Sequence, residues 1–273
     1  MSARCWINGK PGTRVAATDR GLQYGDGVFE TMAVRHGRIT LLEMHLQRLM
    51  EGCERLGIPP PSVASIQDEL DAAVTDQAQA ILKLIVTRGS GGRGYRPAQT
   101  ITPTRILTLH DWPAHPESWW QDGIHARICN TILGSNPQLA GLKHLNRLEQ
   151  VLARAEWSGV DTAQEGLMKD ADGTVIEGTM TNVFALLADG VLMTPDVRNC
   201  GVAGVMRRYL IGKAKQAGVP MRVSKLTIPE LDEAREVFVC NSVIGVWPVT
   251  RIGERDYPVG EMTRRIQQWT DEL

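Results

Sequence analysis

The sequence lacks a cysteine framework. Cys5, Cys53, Cys129, Cys200 and Cys240 are scattered, and no two form a C-x-x-C pair. Neither a disulfide scaffold nor a zinc site is expected, and each cysteine reads as a small buried hydrophobe in a reducing compartment. Neither charge dominates: 30 Lys and Arg against 31 Asp and Glu leave a formal net charge of -1. With no basic block either, nucleic acid is not an expected partner. No apolar run approaches the length of a membrane span, so no membrane partner is expected. The opening Met1-Ser2-Ala3-Arg4-Cys5-Trp6-Ile7-Asn8-Gly9 turns polar too early for a secretory leader, and a cytoplasmic location follows as the expectation. Internal repeats and low-complexity tracts are missing. There is no Walker A lysine, no G-x-S-x-G and no H-E-x-x-H, and the six histidines are dispersed, so metal ligation is not expected. Gly89-Ser90-Gly91-Gly92-Arg93-Gly94 does satisfy G-x-G-x-x-G after a strand. A dinucleotide site needs a helix N-terminus next, and Tyr95-Arg96-Pro97 followed by another strand is the wrong context.

What is present is an ordinary globular composition, 42% hydrophobic and 22% charged, in a 273-residue chain long enough for two domains. Asn8-Gly9 and His36-Gly37 predict two hairpins, the second joining Val28–Val34 to Arg38–Thr40. Leu42, Leu46, Leu49, Cys53 and Leu56 share one face of a helix that Gly57 and Pro59 end. A second helix is expected over 65–78, then strands at Ala80–Val86 and Arg105–Leu109. The polar, proline-bearing stretch around 110–118 reads as a linker, giving domains 1–112 and 119–273 joined by 113–118. Beyond it the pattern predicts a strand near 125–132 and a helix over 144–158 with Leu145, Leu148, Leu152 and Ala155 facing inward. Hairpins at Asp172-Gly173 and Asp189-Gly190, a helix over 205–217 and strands at Val237–Cys240 and Val246–Val249 follow. A last helix comes after Pro258. Strands and helices in this irregular order indicate α+β.

Three features are hard to explain as packing. Lys143, in Gly141-Leu142-Lys143-His144-Leu145, sits among small and apolar residues, where desolvation favours a neutral, nucleophilic amine. A snorkelling surface lysine is the plain alternative, and Lys83, inside an apolar strand, is as good a candidate on desolvation alone. Asn199-Cys200-Gly201-Val202-Ala203-Gly204-Val205-Met206 is a glycine-bearing turn running into a helix, whose open N–H groups and dipole suit a phosphate. Arg48 could add a guanidinium to that phosphate, or be a surface ion pair. Glu177, after an apolar strand and beside Gly178, could hold a protonated ring nitrogen; otherwise it is an exposed hairpin carboxylate. A phosphate, an aldehyde and a basic ring nitrogen together describe pyridoxal phosphate.

The residues also carry a resemblance, through Asp19-Arg20-Gly21, Tyr24-Gly25-Asp26-Gly27-Val28-Phe29-Glu30, His45-Leu46-Gln47-Arg48-Leu49, Thr87-Arg88-Gly89, Lys143, Glu177-Gly178, Asn182-Val183-Phe184 and Gly204-Val205. In that order they resemble the fold-type IV pyridoxal-phosphate enzymes, which include the D-amino-acid and branched-chain aminotransferases and aminodeoxychorismate lyase. The resemblance implies a D-amino-acid aminotransferase-like chain of two α/β domains with the cofactor between them, assembled as a homodimer. It implies Lys143 as the lysine carrying pyridoxal 5'-phosphate, Glu177 on the pyridine nitrogen and Arg48 on the phosphate. The backbone N–H groups of Val205 and Met206 are implied phosphate donors too. Asn241 and Ser242 fall where the D-amino-acid aminotransferases place hydroxyl residues on the phosphate, and Asn241 departs from that pattern.

Four stretches look most like the lyase branch: Phe29-Glu30-Thr31, Arg88 to Tyr95, Leu142-Lys143-His144-Leu145-Asn146-Arg147-Leu148-Glu149-Gln150, and Val239-Cys240-Asn241. The activity this implies is conversion of 4-amino-4-deoxychorismate to 4-aminobenzoate and pyruvate, a step toward folate. Lys143 would move the protons, Thr31 would guide protonation or departure of the leaving group, and Arg93 with Tyr95 would hold a substrate carboxylate. The alternatives are a D- or branched-chain amino-acid aminotransferase, and a non-catalytic binding protein on the same scaffold, which should have lost Lys143 or Glu177.

Overall fold

A computed structural model of the chain describes residues 4–158 and 163–273. Its contacts divide it into two units. The first runs to Pro113 and takes in Leu142–Asn146; the second holds Ala114–Gly141 and Arg147–Leu273.

In the first unit β1 (Arg4–Ile7) and β2 (Lys10–Pro11) form a hairpin across Asn8 and Gly9, both at positive φ as a tight I′-type turn requires. The short α1 (Arg20–Tyr24) starts at Asp19, whose carboxylate accepts the Gly21 amide, and stops at left-handed Gly25. β3 (Gly27–Arg35) turns through His36 and Gly37 into β4 (Arg38–Ile39). Then come α2 (Leu42–Leu56), α3 (Val63–Val74), β5 (Gln79–Thr87) and β6 (Thr104–His110). The antiparallel sheet runs β2-β1-β6-β5-β3-β4. Val28, Met32, Leu82 and Leu84 of the sheet pack with Leu46, Leu49, Ile66 and Leu70 of α2 and α3 in one apolar cluster. Burying each such side chain is worth about 1.5–3 kcal/mol. The spacing of the α2 leucines predicts that helix at its observed bounds. α3 is displaced toward its N-terminus from the expected 65–78, because the Ser62 hydroxyl accepts the Ser65 amide and starts the helix early.

The second unit begins with α4 (Ser118–Gln121), β7 (Ile124–Leu133) and α5 (Leu148–Arg154). Next are β8 (Glu165–Asp170), β9 (Val175–Gly178), β10 (Asn182–Leu186), β11 (Leu192–Pro195) and α6 (Val205–Gln216). β12 (Met221–Ser224), α7 (Ile228–Asp232), β13 (Glu236–Asn241), β14 (Gly245–Ile252), β15 (Arg255–Asp256) and α8 (Glu261–Asp271) complete it. The sheet order is β12-β11-β10-β13-β14-β7-β8-β9, with β15 on β14. Its core gathers Leu167, Val183, Val237, Val239 and Trp247, each at most 1% exposed. β7 pairs in parallel with β8 and β14, while β13 is antiparallel to β10 and β14, the mixture that defines α+β. No helix among the described residues is long and apolar enough to cross a membrane.

One expected helix is corrected. Residues 144–147 are not helical: the Phe29 amide donates to the Lys143 carbonyl at 2.9 Å and the Leu145 amide to the Gly27 carbonyl at 3.0 Å. With the Val28–His144 bridge, these bonds lay Lys143–Leu145 along β3 as extended chain. The helix therefore starts only at Leu148, and its turns present Leu148 and Leu152 outward, 75% and 61% exposed, while Ala153 is buried. Leucine spacing suggested a stripe facing the core, but the strand-like start rotates that stripe to the surface.

Gly89 illustrates how tightly the end of β5 is set. It holds φ +83, and an added Cβ would run into the Thr102 carbonyl. Gly89→Ala should cost about 2 kcal/mol or more from the left-handed backbone and the clash together. The check is a thermal melt, with the midpoint expected to fall by about 5 °C for a chain of this size.

Candidate active site

Strand β3 alternates. Val28, Glu30 and Met32 are buried toward α2, whereas Phe29 and Thr31 are half-buried on the opposite face. Thr31 stands opposite Lys83 on β5. Lys143, delivered to the edge of β3 by its backbone bonds, places Nζ 4.5 Å from the centre of the Phe29 ring. The Nζ of Lys83 lies 5.1 Å from the same ring. Phe29 thus sits beside both lysines that desolvation singled out, and Thr31 is two residues along the same face.

Arg48 is not the surface ion pair considered above. It is 9% exposed, and its Nε and Nη2 donate to the two Glu30 oxygens at 2.7 and 2.5 Å. His45, one turn earlier on α2 and 0% exposed, lies with Nδ1 2.6 Å from Glu30 Oε2. Burial, the strongest influence, would push Glu30 up, but the Arg48 guanidinium and the His45 hydrogen bond outweigh it and hold the carboxyl at about 2. An ionised Glu30 can only accept, so Nδ1 of His45 carries the proton. Burial pushes His45 below the usual imidazole value, against the pull of Glu30. The Nε2 of this neutral ring is buried and finds no hydrogen-bond partner among the described residues.

Arg93 and Tyr95 lie on an exposed loop of the first unit, Tyr95 being 86% exposed. The loop crown is held by Arg20, whose guanidinium donates to the carbonyls of Gly94 and Tyr95, both at 2.9 Å.

The second unit holds the other expected residues. Glu177, 4% exposed at the end of β9, accepts the Val202 amide at 2.7 Å and the Gln150 side chain at 3.4 Å. The Val202 carbonyl accepts from Asn182 at 3.0 Å, so both backbone polar groups of Val202 are held. Two residues later Gly204 opens α6 with no side-chain cap, and the first intrahelical donor is Arg208, bonded to the Gly204 carbonyl. The N–H groups of Val205 and Met206 precede that bond and belong to the helix's positive end, an anion site by construction. Asn241 spends its carbonyl on the Val243 and Ile244 amides and its amide on the Met180 carbonyl, so it shapes the turn that carries Ser242.

An amine, an ion-paired guanidinium, a hydroxyl, a buried carboxylate and an uncapped helix start are the inventory these two units offer. Against known proteins, residues 27–252 match the model of the amino-transferase class IV family, spanning β3 to β14. The chain belongs to the class IV aminotransferases. It is similar to an aminodeoxychorismate lyase of Vibrio harveyi, 39% identical over 96% of this chain and 97% of that one. It is similar to the crystal structure of 4-amino-4-deoxychorismate lyase from Pseudomonas aeruginosa, with 50% identity, a TM-score of 0.94 and coverage of 98% and 99%. A D-alanine aminotransferase of Staphylococcus epidermidis is 28% identical over 97% of this chain and 95% of its own. The class IV fold is therefore the fold-type IV architecture expected from the motifs.

In this class IV chain the residues that reading by motif missed are Glu30 as the partner of Arg48, and His45 beside it. The signal was present: a carboxylate at an inward position of an apolar strand, and a His and an Arg three residues apart on one helix face. Removing one member of a buried ion pair typically costs about 3–5 kcal/mol, and Glu30→Gln should destabilise the protein by that amount in urea unfolding. The pH dependence has a definite sign. A carboxyl held at about 2 in the fold and at 4.5 when unfolded stabilises above pH 4.5 and loses that contribution as the pH falls toward 2. The contribution is about 3 kcal/mol. In Glu30→Gln this part of the acid loss should vanish, so the gap between variant and parent should narrow from pH 5 to pH 2.

Proposed function

We propose that this chain is a pyridoxal-phosphate-dependent lyase that converts 4-amino-4-deoxychorismate to 4-aminobenzoate and pyruvate, serving folate synthesis as a cytoplasmic homodimer. The observation that carries the reading is the shared face of β3, where Thr31 lies beside the Phe29 ring that receives Lys143, in a chain half identical to a solved lyase over nearly its whole length. The residues fit the cofactor chemically. Lys143 offers an amine for an aldehyde, and the buried Glu177 carboxylate suits a protonated ring nitrogen. The uncapped start of α6 at Val205 and Met206 suits a phosphate, and Arg48 and Ser242 are each of a type that donates to one.

When bound, pyridoxal phosphate supplies an aldehyde that captures amines covalently and a ring that stores the electron pair left by bond cleavage beside the nitrogen. The protein's part is to orient and to move protons. Lys143 Nζ takes the proton from the substrate carbon that bears the amine, acting as general base. The carbon–oxygen bond to the neighbouring enolpyruvyl group then breaks, and the remaining ring becomes aromatic, which makes the step strongly downhill. Lys143 returns a proton as pyruvate leaves. Thr31 places a hydroxyl to guide that departure, and Arg93, with Tyr95 alongside, holds one of the two substrate carboxylates. Asn241 supports the turn bearing Ser242.

A second reading, transfer of the amine to a keto acid, uses the same lysine and is supported by the likeness to the D-alanine aminotransferase. A non-catalytic scaffold is disfavoured because Lys143 and Glu177 are both in place. The deciding experiment supplies purified protein with 4-amino-4-deoxychorismate and follows 4-aminobenzoate and pyruvate. Faster transfer from D-alanine or a branched-chain amino acid to 2-oxoglutarate, with no 4-aminobenzoate, would establish the second reading instead.

Borohydride reduction of the cofactor-loaded protein should fix the label on the peptide containing Lys143, and Lys143→Ala should lose nearly all turnover. A label on Lys83, the other lysine against Phe29, would overturn the assignment. Thr31→Val keeps the shape of the side chain and the strand. It should bind cofactor normally yet make 4-aminobenzoate at least about tenfold more slowly, about 1.4 kcal/mol in the barrier. Wild-type turnover in that variant would remove Thr31 from the chemistry.

A further inference from the structure

The loop that carries Arg93 and Tyr95 has little structure of its own. Gly91, Gly92 and Gly94 all hold positive φ, and Gly92 to Pro97 are exposed. No hydrogen bond between backbone groups ties residues 91–97 to the rest of the first unit among the described residues. What holds the crown is one buried side chain. Arg20, 4% exposed, forks its Nη1 and Nη2 onto the carbonyls of Gly94 and Tyr95, while its Nε donates to Asp26 at 2.8 Å. The guanidinium also lies 4.8 Å from the centre of the Tyr24 ring, and that ring is 5.6 Å from the ring of Tyr95. At the base of the loop the Arg20 amide donates to the Gly89 carbonyl, and Asp19 pairs with Ser90. A planar guanidinium is suited to this task because its donors leave in fixed directions, whereas an ammonium cannot satisfy two carbonyls and a carboxylate in one plane.

We propose that Arg20 is a positioning residue for substrate recognition: it fixes the crown of the 91–97 loop, and with it the directions of Arg93 and Tyr95. The inference rests on the reading of Arg93 and Tyr95 as substrate contacts, and the test separates the two. The cofactor-loaded Arg20→Lys protein should keep the parent's visible absorption spectrum and a kcat within about threefold, while its KM for 4-amino-4-deoxychorismate rises at least about tenfold. Because the loop crown is released, trypsin should cut the Arg93–Gly94 bond of the native protein at least about fivefold faster; Arg96 precedes Pro97 and resists cleavage. Tyr24→Leu, which keeps the fork and removes the ring between Arg20 and Tyr95, is the second variant should Arg20→Lys not fold. It should raise KM about threefold and speed cleavage at Arg93. Parent-like cleavage and parent-like KM in the variants overturn the proposal. Faster cleavage with unchanged KM keeps Arg20 as the loop's anchor and overturns substrate contact by Arg93 and Tyr95. A fall in kcat with unchanged KM overturns the positioning role.

Discussion

Successive side chains of a strand must leave by opposite faces, and β3 is where this constraint governs the most. Its even-numbered residues Val28, Glu30 and Met32 are committed to α2, and Phe29 and Thr31 to the other side. Pairing with β5 along its whole length leaves no room to slide. A one-residue slip would carry Glu30 away from Arg48 and His45 and bring Thr31 into the apolar layer. The position of a hydroxyl and the order of a guanidinium are therefore two consequences of one register.

Charge completes what the register begins. Asp26, just ahead of β3, takes the guanidinium groups of Arg20 and Arg88, and the two together hold its carboxyl below the usual range although burial works the other way. Arg88 also donates to the carbonyls of Leu56 and Gly57, the open end of α2. One carboxylate thus joins the end of a helix, the end of β5 and the loop of Arg93. Glu30 does the same deeper in the layer, joining β3 to α2. Replacing such buried pairs with apolar residues is often neutral for stability, so the directions they impose on their arginines are the better reason for finding them here.

How far the sequence could be read depended on whether local pattern and long-range pairing agreed. At α2 they agreed: a leucine stripe, Gly57 at its stop and a covering sheet all favoured the same fifteen residues. At Lys143 they did not. Leu145, Leu148 and Leu152 are helically spaced, but two backbone bonds to distant β3 won the first half of that segment. No local rule contains those partners. The family was legible from the order of the motifs, and Lys143, Glu177 and the Gly204–Met206 turn stood out from packing as candidates. Lys83 could not be told from Lys143 by desolvation, and the structure shows why: both amines lie against Phe29. Glu30 went unread as a partner because its inward position and the His45–Arg48 spacing are each local signals, and neither says that β3 packs on α2.

The placement of Lys143–Leu145 along β3 also bears on how the chain is made. The first unit needs residues up to Asn146, so it cannot finish folding on the ribosome when Pro113 emerges. Until then the N-terminal half of β3, beyond the reach of β4, keeps an open row of N–H and C=O groups that any passing strand can adopt. The segment that carries Lys143 is also the one that pairs with this edge, at Gly27 and Phe29. A nascent chain stalled in the roughly thirty residues before it would keep that edge open and be prone to aggregate.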